Sequence, residues 1–447
     1  METNIQKVEK FSQSTTLKGI IIVILTIFLL IPGAMIENLI YERQQRSIET
    51  IAKINEKWSN AQTVNGPFLV IPYQISSEDE KKKVTTKKFN FILTPEVLKI
   101  SAKLTPEERH YGIYKSILYK SNIDISGNFK NPLQFIPSNA EIIWSEIQIR
   151  IGISDLRGLS NNLNFKLNEV IAVAEAGGNQ DAIGQGLVIS LKNSESVFNE
   201  KGATFSCNLK LNGSESINFI PVGKTTQVHL YGLWTAPGFI GSFSPEYIIN
   251  DSSFNAKWNI LHFNRNIPEY WTNNEVNSIA DTTFGVNLVD TVDHYQQNMR
   301  SAKYALMFIA LTFVVFFFVE IITHKRIHPI QYLLVGIALI LFYSLLLSIS
   351  EQLNFAIAYL IASIATITLI VVYSQSIFKN KTQTGILASI LTILYIFLYV
   401  VLQLEDIALL IGSIGLFVIL GIIMFVSRKI NWYKQDSSVA TNSTNEP

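Results

Sequence analysis

Cysteine is almost absent from this chain, whose 447 residues include a single one, Cys207. A disulfide within the chain is therefore excluded, even in an oxidising compartment. Cys207 lies in the segment TFSCNLKLN, where Phe205, Leu209 and Leu211 occupy the same face of an alternating pattern. This pattern predicts a buried structural thiol and not a nucleophile, because nothing beside it in the sequence would lower its pKa.

Clusters of metal-ligating residues are lacking as well. Four histidines have no partner at a recognised ligand spacing: His110, His229, His262 and His294. The segment EIITHKRIHP would align Glu320, His324 and His328 on one face of a continuous helix. Its basic pair and Pro329 instead indicate a turn between two membrane helices. The sequence therefore predicts no metal, cofactor-binding or catalytic site.

Charged residues are scarce, at 16% of the chain, whereas hydrophobic residues make up 48%. This balance is unusual for a soluble protein. The apolar residues concentrate in six runs, each close to the ~20 residues that cross a bilayer: residues 19–36, 304–322, 330–349, 355–373, 385–402 and 407–426. They predict a polytopic membrane protein with six transmembrane helices.

The first run is longer than the ~7–15-residue core of a signal peptide, and no A-x-A-like cleavage site follows it. We therefore interpret it as an uncleaved signal anchor. Lysine and arginine occur in the N-terminal segment, in two of the later loops and in the tail, whereas the loops EQLN and QLED contain neither. The positive-inside rule then places both termini in the cytoplasm and residues 37–303 outside it.

The apolar runs have no Asp, Lys, Arg or His in their interiors. Ion-coupled transporters and intramembrane enzymes usually carry such residues within their helices, so this chain lacks their usual chemistry. Glu320 lies about one turn from a predicted cytoplasmic helix end. At that position we expect it to pair with Lys325 or Arg326.

Residues 37–303 begin with a helical pattern and continue with a strand pattern. Apolar residues recur every three or four positions between Ile40 and Trp58, which predicts that the first span continues outward as an amphipathic stalk. Alternation with a period of two then appears in NIDISGNF, IIWSEIQIRIGIS, TFSCNLKLN and FNAKWNIL. These strands predict an α+β protein whose large β-rich domain is antiparallel and sandwich-like.

The stretch GLWTAPGFIGSFSP, residues 232–245, combines three glycines and two prolines with three aromatic rings. It predicts a rigid, irregular loop that either folds its rings into the core or presents them to a partner. The candidate interaction surface comprises Trp234, Phe239 and Phe243. Arg43 and Arg46 of the stalk complete it, and we expect them to face acids or anionic lipid headgroups.

The second link between domain and membrane is the segment VDTVDHYQQNMRSAKY, which has no Gly or Pro. We expect it to extend its span outward as a helix, so that both links form a stiff stalk able to pass domain motion to the bundle. It carries Asp290, Asp293, His294 and Arg300, which are the candidates for an enzyme site. Five parts result: residues 1–18 (cytoplasmic), 19–36 (anchor), 37–303 (stalk and β-rich domain), 304–426 (five-helix bundle) and 427–447 (cytoplasmic tail).

Ordered words along the chain carry a family resemblance: ERQQRS, GPFLVIPY, GISDLRGL, VDHYQQNMRSAKYALMFIALTF, HPIQYLLVGIALILFYSLLLSISE, LQLEDIALLIGS and the W-x-x-P-x-F-x-G-x-F-x-P pattern of residues 234–245. From residue 37 to residue 433 the chain closely resembles the CreD family of bacterial inner-membrane proteins, also called cell envelope integrity proteins. The family has a WPxPSF-like motif where this chain has WTAPGF. The resemblance implies a Gram-negative inner membrane, a periplasmic domain and a link to envelope stress and two-component signalling. It implies no catalytic activity or binding site.

One leading hypothesis and two alternatives follow. The leading hypothesis is a non-enzymatic, multi-pass inner-membrane protein that supports envelope integrity and the envelope stress response through its periplasmic domain. The alternatives are a membrane enzyme acting on lipid or peptidoglycan at the periplasmic face, and an accessory or sensor subunit of a membrane complex. The expected partners are the lipid bilayer and other envelope proteins or peptidoglycan, with no nucleic acid and no cofactor.

Overall fold

The computed structural model of the protein describes residues 15–78, 84–178, 181–191, 197–198, 202–272, 279–288, 294–323, 327–404 and 407–428. The chain divides into two compact units, Met1–Arg46 with Val292–Pro447, and Ser47–Thr291. The first is helical and is called the bundle unit. The second consists mainly of strands and is called the β unit.

Eight α-helices are seen in the described residues: α1 (Thr15–Phe28), α2 (Leu30–Trp58), α3 (His294–Lys303), α4 (Ala305–Thr323), α5 (Pro329–Ser350), α6 (Phe355–Phe378), α7 (Lys381–Gln403) and α8 (Ala408–Ser427). Four candidate membrane spans have the necessary length and apolar composition: Lys18–Trp58, α5, α6 and α7. The bent pair α3–α4 is a fifth candidate, and the apolar part of α8, Leu410–Phe425, is shorter. The described residues therefore contain apolar helices of the predicted kind, while the count of six spans stays a prediction.

Local capping residues set the ends of the bundle helices. The side chain of His328 accepts a hydrogen bond from the Ile330 N–H at the start of α5, and Pro329 occupies the first helical position. Asn354 and Asn380 cap α6 and α7 in the same way. The segment HKRIHP thus includes the cap of a helix, as its proline predicted.

The first long helix continues well beyond its apolar part, as its periodicity predicted, because α2 ends only at Trp58. The second link differs from the prediction of a straight extension. The helices α3 and α4 meet at an angle of 44°. At the bend the Tyr304 N–H bonds to the carbonyl of Ser301, three residues back, which tightens the helix locally without any Gly or Pro.

The β unit has eighteen strands in its described residues: β1 (Gln62–Glu78), β2 (Val84–Leu93), β3 (Val97–Tyr111), β4 (Tyr114–Phe129), β5 (Glu141–Ile142), β6 (Gln148–Ile153), β7 (Asn164–Leu167), β8 (Val170–Val173), β9 (Glu175–Gly177), β10 (Gly186–Ser190), β11 (Ala203–Ser214), β12 (Ser216–Ile220), β13 (Thr225–Gly232), β14 (Pro237–Gly241), β15 (Glu246–Ile249), β16 (Phe254–Leu261), β17 (Tyr270–Thr272) and β18 (Phe284–Leu288). They form a ten-stranded sheet and an eight-stranded sheet.

The larger sheet follows the order β14-β18-β12-β1-β6-β10-β9, and in addition β2 and β5 pair with β1 and β17 pairs with β2. The smaller sheet follows the order β15-β16-β13-β3-β4-β11-β7-β8. Pairing is antiparallel except between β1 and β12 and between β3 and β13. Buried side chains of both sheets belong to one hydrophobic core, which includes Phe68, Ile71, Ile100, Ile123 and Leu209. The expected β-rich, two-layer architecture is confirmed, with two parallel pairs that the alternation could not reveal.

The segment IIWSEIQIRIGIS is only partly the strand that its alternation predicted. Residues Trp144–Glu146 form a short 3₁₀ turn, and the strand β6 begins at Gln148. Both faces of β6 are buried, including Arg150 on the face predicted to be exposed. The reason is a covering loop: Asp181 and the carbonyl of Gly184 both accept hydrogen bonds from the Arg150 guanidinium.

The stretch of residues 232–245 was expected to be irregular, and this prediction was wrong in part. Its centre forms the strand β14, which pairs with β18 at the edge of the larger sheet. The Phe239 ring packs against Trp258 and Phe254, and the Phe243 ring lies edge-on to Phe284. Glycines allow the backbone to approach closely here, since a Cβ on Gly241 would lie 2.1 Å from a carbonyl oxygen.

Candidate functional site

A carboxylate at the end of α5 holds the first long helix to the bundle. Glu351 follows directly after α5, and its side chain is 5% exposed. The guanidinium of Arg43, on α2, lies 3.3 Å from Glu351 Oε2. The hydroxyl of Tyr295, on α3, donates to Glu351 Oε1 at 3.1 Å. This group of three side chains, called the Glu351 clamp, therefore ties α2 and α3 to the end of α5.

Further polar groups lie beside the Glu351 clamp on the same face of α3, because Tyr295, Asn298 and Ser301 are three residues apart. The Asn298 amide donates to Ser350 Oγ and to the His294 carbonyl, both at 2.7 Å. Asn298 and Ser301 are fully buried, and Asn298 Oδ1 and Ser301 Oγ have no hydrogen-bond partner among the described residues. The interior of the bundle at this end therefore contains polar side chains. The sequence alone predicted only a connecting helix at α3 and an apolar span at α5.

A second carboxylate holds the same helical segment near the other end of α5. Glu320 is buried, and it accepts hydrogen bonds from the Lys18 ammonium, from the Tyr332 hydroxyl at 3.0 Å and from the Ile327 N–H at 3.2 Å. We expected Lys325 or Arg326 as its partner. Both lie outside the described residues, and the partner that the structure shows is Lys18, 302 positions away in the sequence. We call this group the Glu320 clamp.

The helical segment between these two clamps also packs into α5. Leu29, at the junction of α1 and α2, is 1% exposed and belongs to the same core cluster as Phe313 and Val335. It lies against Gly336, where an added Cβ would come within 2.2 Å of Leu29 Cδ1. The segment from Lys18 to Arg43 is therefore held to the bundle by two ion pairs and by a close apolar contact.

The segment GISDLRGL, residues 152–159, holds the C-terminal end of α2 within the β unit. The Asp155 carboxylate accepts from the Asn60 N–H at 3.0 Å and forms a paired contact with Arg157, whose Nη2 lies 2.8 Å away. Arg157 also donates to the Glu56 carbonyl at 2.8 Å, which is one of the unpaired carbonyls at the end of the helix. This group, called the Asp155 clamp, fixes the exit of α2 against the sheet.

Neighbouring residues complete the contact around the Asp155 clamp. The Gln62 amide donates to Ser59 Oγ at 2.7 Å and to the carbonyls of Asp155 and Asn212 at 2.9 and 3.0 Å. Gly158 lies so close that a Cβ would come within 2.2 Å of the Asn212 carbonyl oxygen. On the last turn of α2, Asn55 donates to Glu215 at 2.7 Å. Such a dense set of satisfied polar groups indicates a rigid joint.

The surroundings of Asp155 and Cys207, both in the β unit, shift the pKa values of these groups. The hydrogen bonds from Arg157, opposed by partial burial and aided by backbone N–H groups, lower the pKa of Asp155 to about 2. Burial, aided by the charge of Asp124, raises the pKa of Cys207 to about 12. Cys207 is 8% exposed, so the expected buried thiol is confirmed.

The residues of the candidate interaction surface belong to two units, the aromatic ones to the β unit and the two arginines to the bundle unit. Trp234, Phe239 and Phe243 are partly buried and pack against the core of the β unit. Arg43 faces an acid, as predicted, and Arg46 also has a partner. Of the candidate enzyme residues, His294 and Arg300 lie on α3 and both have partners, while Asp290 and Asp293 lie outside the described residues. Within the described part of the chain, no three His, Cys, Asp or Glu side chains are grouped as metal ligands would be.

Sequence reasoning missed Glu351, Tyr295 and Asp155 as joint-forming residues. From the sequence, the loop that contains Glu351 was used only to assign the membrane orientation, because that loop has no lysine or arginine. The position of Glu351 directly after an apolar run could have indicated an acid at the end of a membrane helix. The Asp155 signal was the pattern D-x-R-G, since an Asp before a turn caps it and can pair with an Arg two residues on. The other contacts, of Glu351 with Arg43 and Tyr295 and of Asp155 with Asn60, join residues more than 50 positions apart and have no local signature.

Comparison with known proteins covers nearly the whole chain. Residues 14–433 match the family model described as "Inner membrane protein CreD". The inner membrane protein CreD of Escherichia coli (strain K12) is 31% identical over 428 residues, which are 95% of this chain and 94% of that protein. The matched range includes all the residues of the three clamps.

Proposed function

The chain belongs to the CreD family of inner membrane proteins, and on that premise we propose that it supports the integrity of the cell envelope and its response to stress. The distribution of lysine and arginine supports an orientation with both termini in the cytoplasm and the β unit in the periplasm. The six apolar runs support a six-span arrangement in which the β unit is inserted between the first and second spans.

The continuity of α2 is the observation that carries this proposal. The helix extends from Leu30 to Trp58 without interruption, so it passes from the bundle unit into the β unit. It is held by Glu351 at Arg43 and by the Asp155 clamp at its last turn. We propose that this continuous helix, in place of a flexible linker between the two units, serves to sense or bear load in the envelope.

We further propose that the role is not enzymatic. The polar side chains that converge in the structure are engaged with helix termini and with one another: Arg43, Tyr295, Glu351, Asp155 and Arg157. Groups committed in this way position helices, whereas a catalytic set leaves a base or nucleophile directed at a substrate.

A deletion strain tests the proposal. We expect a strain lacking the gene to become more sensitive to detergents, bacteriocins or β-lactams, and the cloned gene to restore tolerance. A chain with Arg43→Glu should restore tolerance poorly, because it places two acids together at the Glu351 clamp. Adding Glu351→Arg should recover much of it by exchanging the charges.

The matched control is Glu42→Arg, at an exposed position beside Arg43. It should behave as the unchanged protein does, with all variants present at equal levels in the membrane fraction. Normal tolerance of the deletion strain to every agent would overturn the proposed function. Full activity of Arg43→Glu alone would overturn the part assigned to α2.

A further inference from the structure

The outer face of the eight-stranded sheet forms a groove of about 740 Å³. This volume lies within the roughly 300–1,000 Å³ usual for sites that bind small molecules. Its polar side chains come from alternate positions of the central strands and from the start of β15, and they include Lys99, Asp124, Gln227, His229, Glu246 and Lys257. The intervening residues, such as Ile100, Val228 and Trp258, are buried in the core on the other side.

The strand register arranges these side chains in rows across the sheet. In one row Lys99 is opposite Gln227, which is opposite Asn259. In the next row Ser101 is opposite His229, and His229 is opposite Lys257. Neighbouring residues of one face lie about 5 Å apart across strands and about 7 Å apart along them. One small ligand can therefore contact both rows.

Two lysines flank the centre of the groove, and Lys257 has Glu246 as its neighbour on the next strand. Neither Lys99 nor Lys257 makes an ion pair with any described residue. Their Cα atoms are two strands and two residues apart, which is roughly 12 Å. The long, flexible lysine side chains can therefore bring both ammonium groups above Gln227 and His229. Such a pair is suited to bind one carboxylate.

The acids of the groove lie at its margins. Asp124, on β4, accepts a hydrogen bond from the Asn208 amide at 2.7 Å. Glu246 opens β15, on the far side of the groove, opposite Lys257. The groove therefore has cations at the centre, carboxylates at two edges and neutral hydrogen-bonding groups between them. Its charge pattern complements a ligand that carries both carboxylates and an amino group.

We propose that this groove binds a short zwitterionic peptide, with a carboxylate between Lys99 and Lys257 and an amino group at Asp124 or Glu246. The inference rests on the proposed function, which places the β unit in the periplasm. There the stem peptides of peptidoglycan have this chemistry, with several carboxylates and a free amine. A sugar suits the groove less well, because the lining has no exposed ring; Trp258 is 3% exposed and donates its indole N–H to the Phe243 carbonyl.

Calorimetric titration of the full-length chain, purified in detergent micelles, tests the proposal. The probe is the synthetic tetrapeptide L-Ala-γ-D-Glu-meso-diaminopimelyl-D-Ala. We expect saturable binding that weakens as salt is added, because the contacts are charged and exposed. The same peptide with its carboxylates amidated should bind at least tenfold more weakly, and chitotriose should not compete.

Substitutions of the groove lysines test whether the peptide binds in the groove. Lys99→Gln and Lys257→Gln should each weaken binding about tenfold. The matched control is Lys166→Gln, an exposed lysine of the same sheet on β7, whose neighbour Ser206 lies opposite Ser126 at the groove edge. It should bind as the unchanged protein does. Equal thermal unfolding of the three variants would show that each is folded, since all three lysines are exposed.

Absence of binding, equal binding of the amidated peptide, or equal loss in the Lys166→Gln control would overturn the proposal. Binding of chitotriose that both groove variants lose would assign the groove to a sugar instead. These results are distinguishable from failure of the proposed function. If the groove fails while the deletion strain is sensitive, envelope support stands without this ligand. If the peptide binds but the deletion strain is normal, the function fails and the site stands.

Discussion

At the scale of single residues, Asp155 links local turn chemistry to a long-range joint. Its carboxylate caps the turn Leu156–Gly158 and also holds Arg157, which reaches the end of α2. The pKa of this carboxyl is lowered from 3.8 to about 2. A lowered folded-state pKa means that the ionised form stabilises the fold, so the contribution is complete above about pH 4 and is lost as the pH falls through about 2.

The first prediction concerns Asp155→Asn. The variant should unfold at a temperature several degrees lower at pH 6, and its unfolding temperature should fall less steeply than that of the unchanged chain between pH 4 and pH 2. Tryptophan fluorescence of the full-length protein gives the measurement, because five of the six tryptophans lie in the β unit: Trp58, Trp144, Trp234, Trp258 and Trp271. Asp251→Asn, at an exposed turn, is the control; identical pH profiles for both variants would contradict the assignment.

The second prediction concerns Cys207. Because burial raises the pKa of this thiol to about 12, very little thiolate is present at pH 8. A maleimide should label the folded protein at least a hundredfold more slowly than it labels free cysteine. In guanidinium chloride the rate should rise to that of free cysteine. Rapid labelling of the folded chain would show that the strand β11 does not bury its alternate face.

At the scale of elements, the packing of the first long helix against α5 depends on one small residue. Gly336 faces Leu29 and Phe313, and an added Cβ would lie 2.2 Å from Leu29 Cδ1 and 2.9 Å from Phe313 Cζ. Contacts this short require a neighbouring side chain to move. Gly412, on α8, is the opposite case, since nothing lies within 4 Å of its added Cβ.

The third prediction is that Gly336→Ala destabilises the bundle unit by about 1–3 kcal/mol through overpacking. Gly412→Ala should change stability little. Combining Gly336→Ala with Leu29→Ala should cost less than the sum of the single changes, by about 1 kcal/mol, because the shorter side chain makes room. Thermal unfolding in detergent, followed by circular dichroism, gives the three values. Strict additivity would show that Leu29 and Gly336 are not in contact.

The fourth prediction concerns the continuity of α2. Inserting three glycines after Gln45 should abolish complementation of the deletion strain at unchanged protein level, because glycine interrupts the helix between Arg43 and the Asp155 clamp. The same insertion after Gly112, in the exposed turn between β3 and β4, is the control and should be tolerated. A fully active insertion after Gln45 would mean that the β unit needs no stiff support.

At the scale of the whole molecule, the positions of the basic residues predict an orientation in the membrane. The connection between α6 and α7 carries Lys379, and Lys381 begins α7, whereas the loop between α5 and α6 has no basic residue. Helices α5, α6 and α7 follow one another with short connections, so these two loops should lie on opposite sides of the bilayer. The proposed topology places the first in the cytoplasm and the second in the periplasm.

The fifth prediction tests that topology in a Cys207→Ser background. A membrane-impermeant maleimide should label Gln352→Cys in cells with a permeabilised outer membrane. It should label Lys379→Cys only after the inner membrane is opened. Both positions are exposed on the molecule, so both should react fully after lysis, which is the control. The reverse pattern would place the termini in the periplasm and would overturn the orientation.

The sequence by itself determined the parts of this protein that depend on local pattern. Apolar runs predicted helices such as α5, α6 and α7, because length and composition suffice for a span. Alternation predicted β4, β11 and β16 and the burial of Cys207, since a strand exposes successive residues to opposite faces. The irregular appearance of residues 232–245 concealed β14, because an edge strand with Gly and Pro lacks the usual pattern.

Only the tertiary structure decided which charged groups meet. Glu320 pairs with Lys18, Glu351 with Arg43, and Asp155 with the Asn60 N–H, and each pair is separated by 95 or more positions. The register of β3, β13 and β16 likewise decided that Lys99 and Lys257 share one groove. Periodicity reports which face of an element is buried, but it does not say which element covers that face. That choice is made by long-range packing and strand pairing, and the hydrogen bonds of the clamps depend on it.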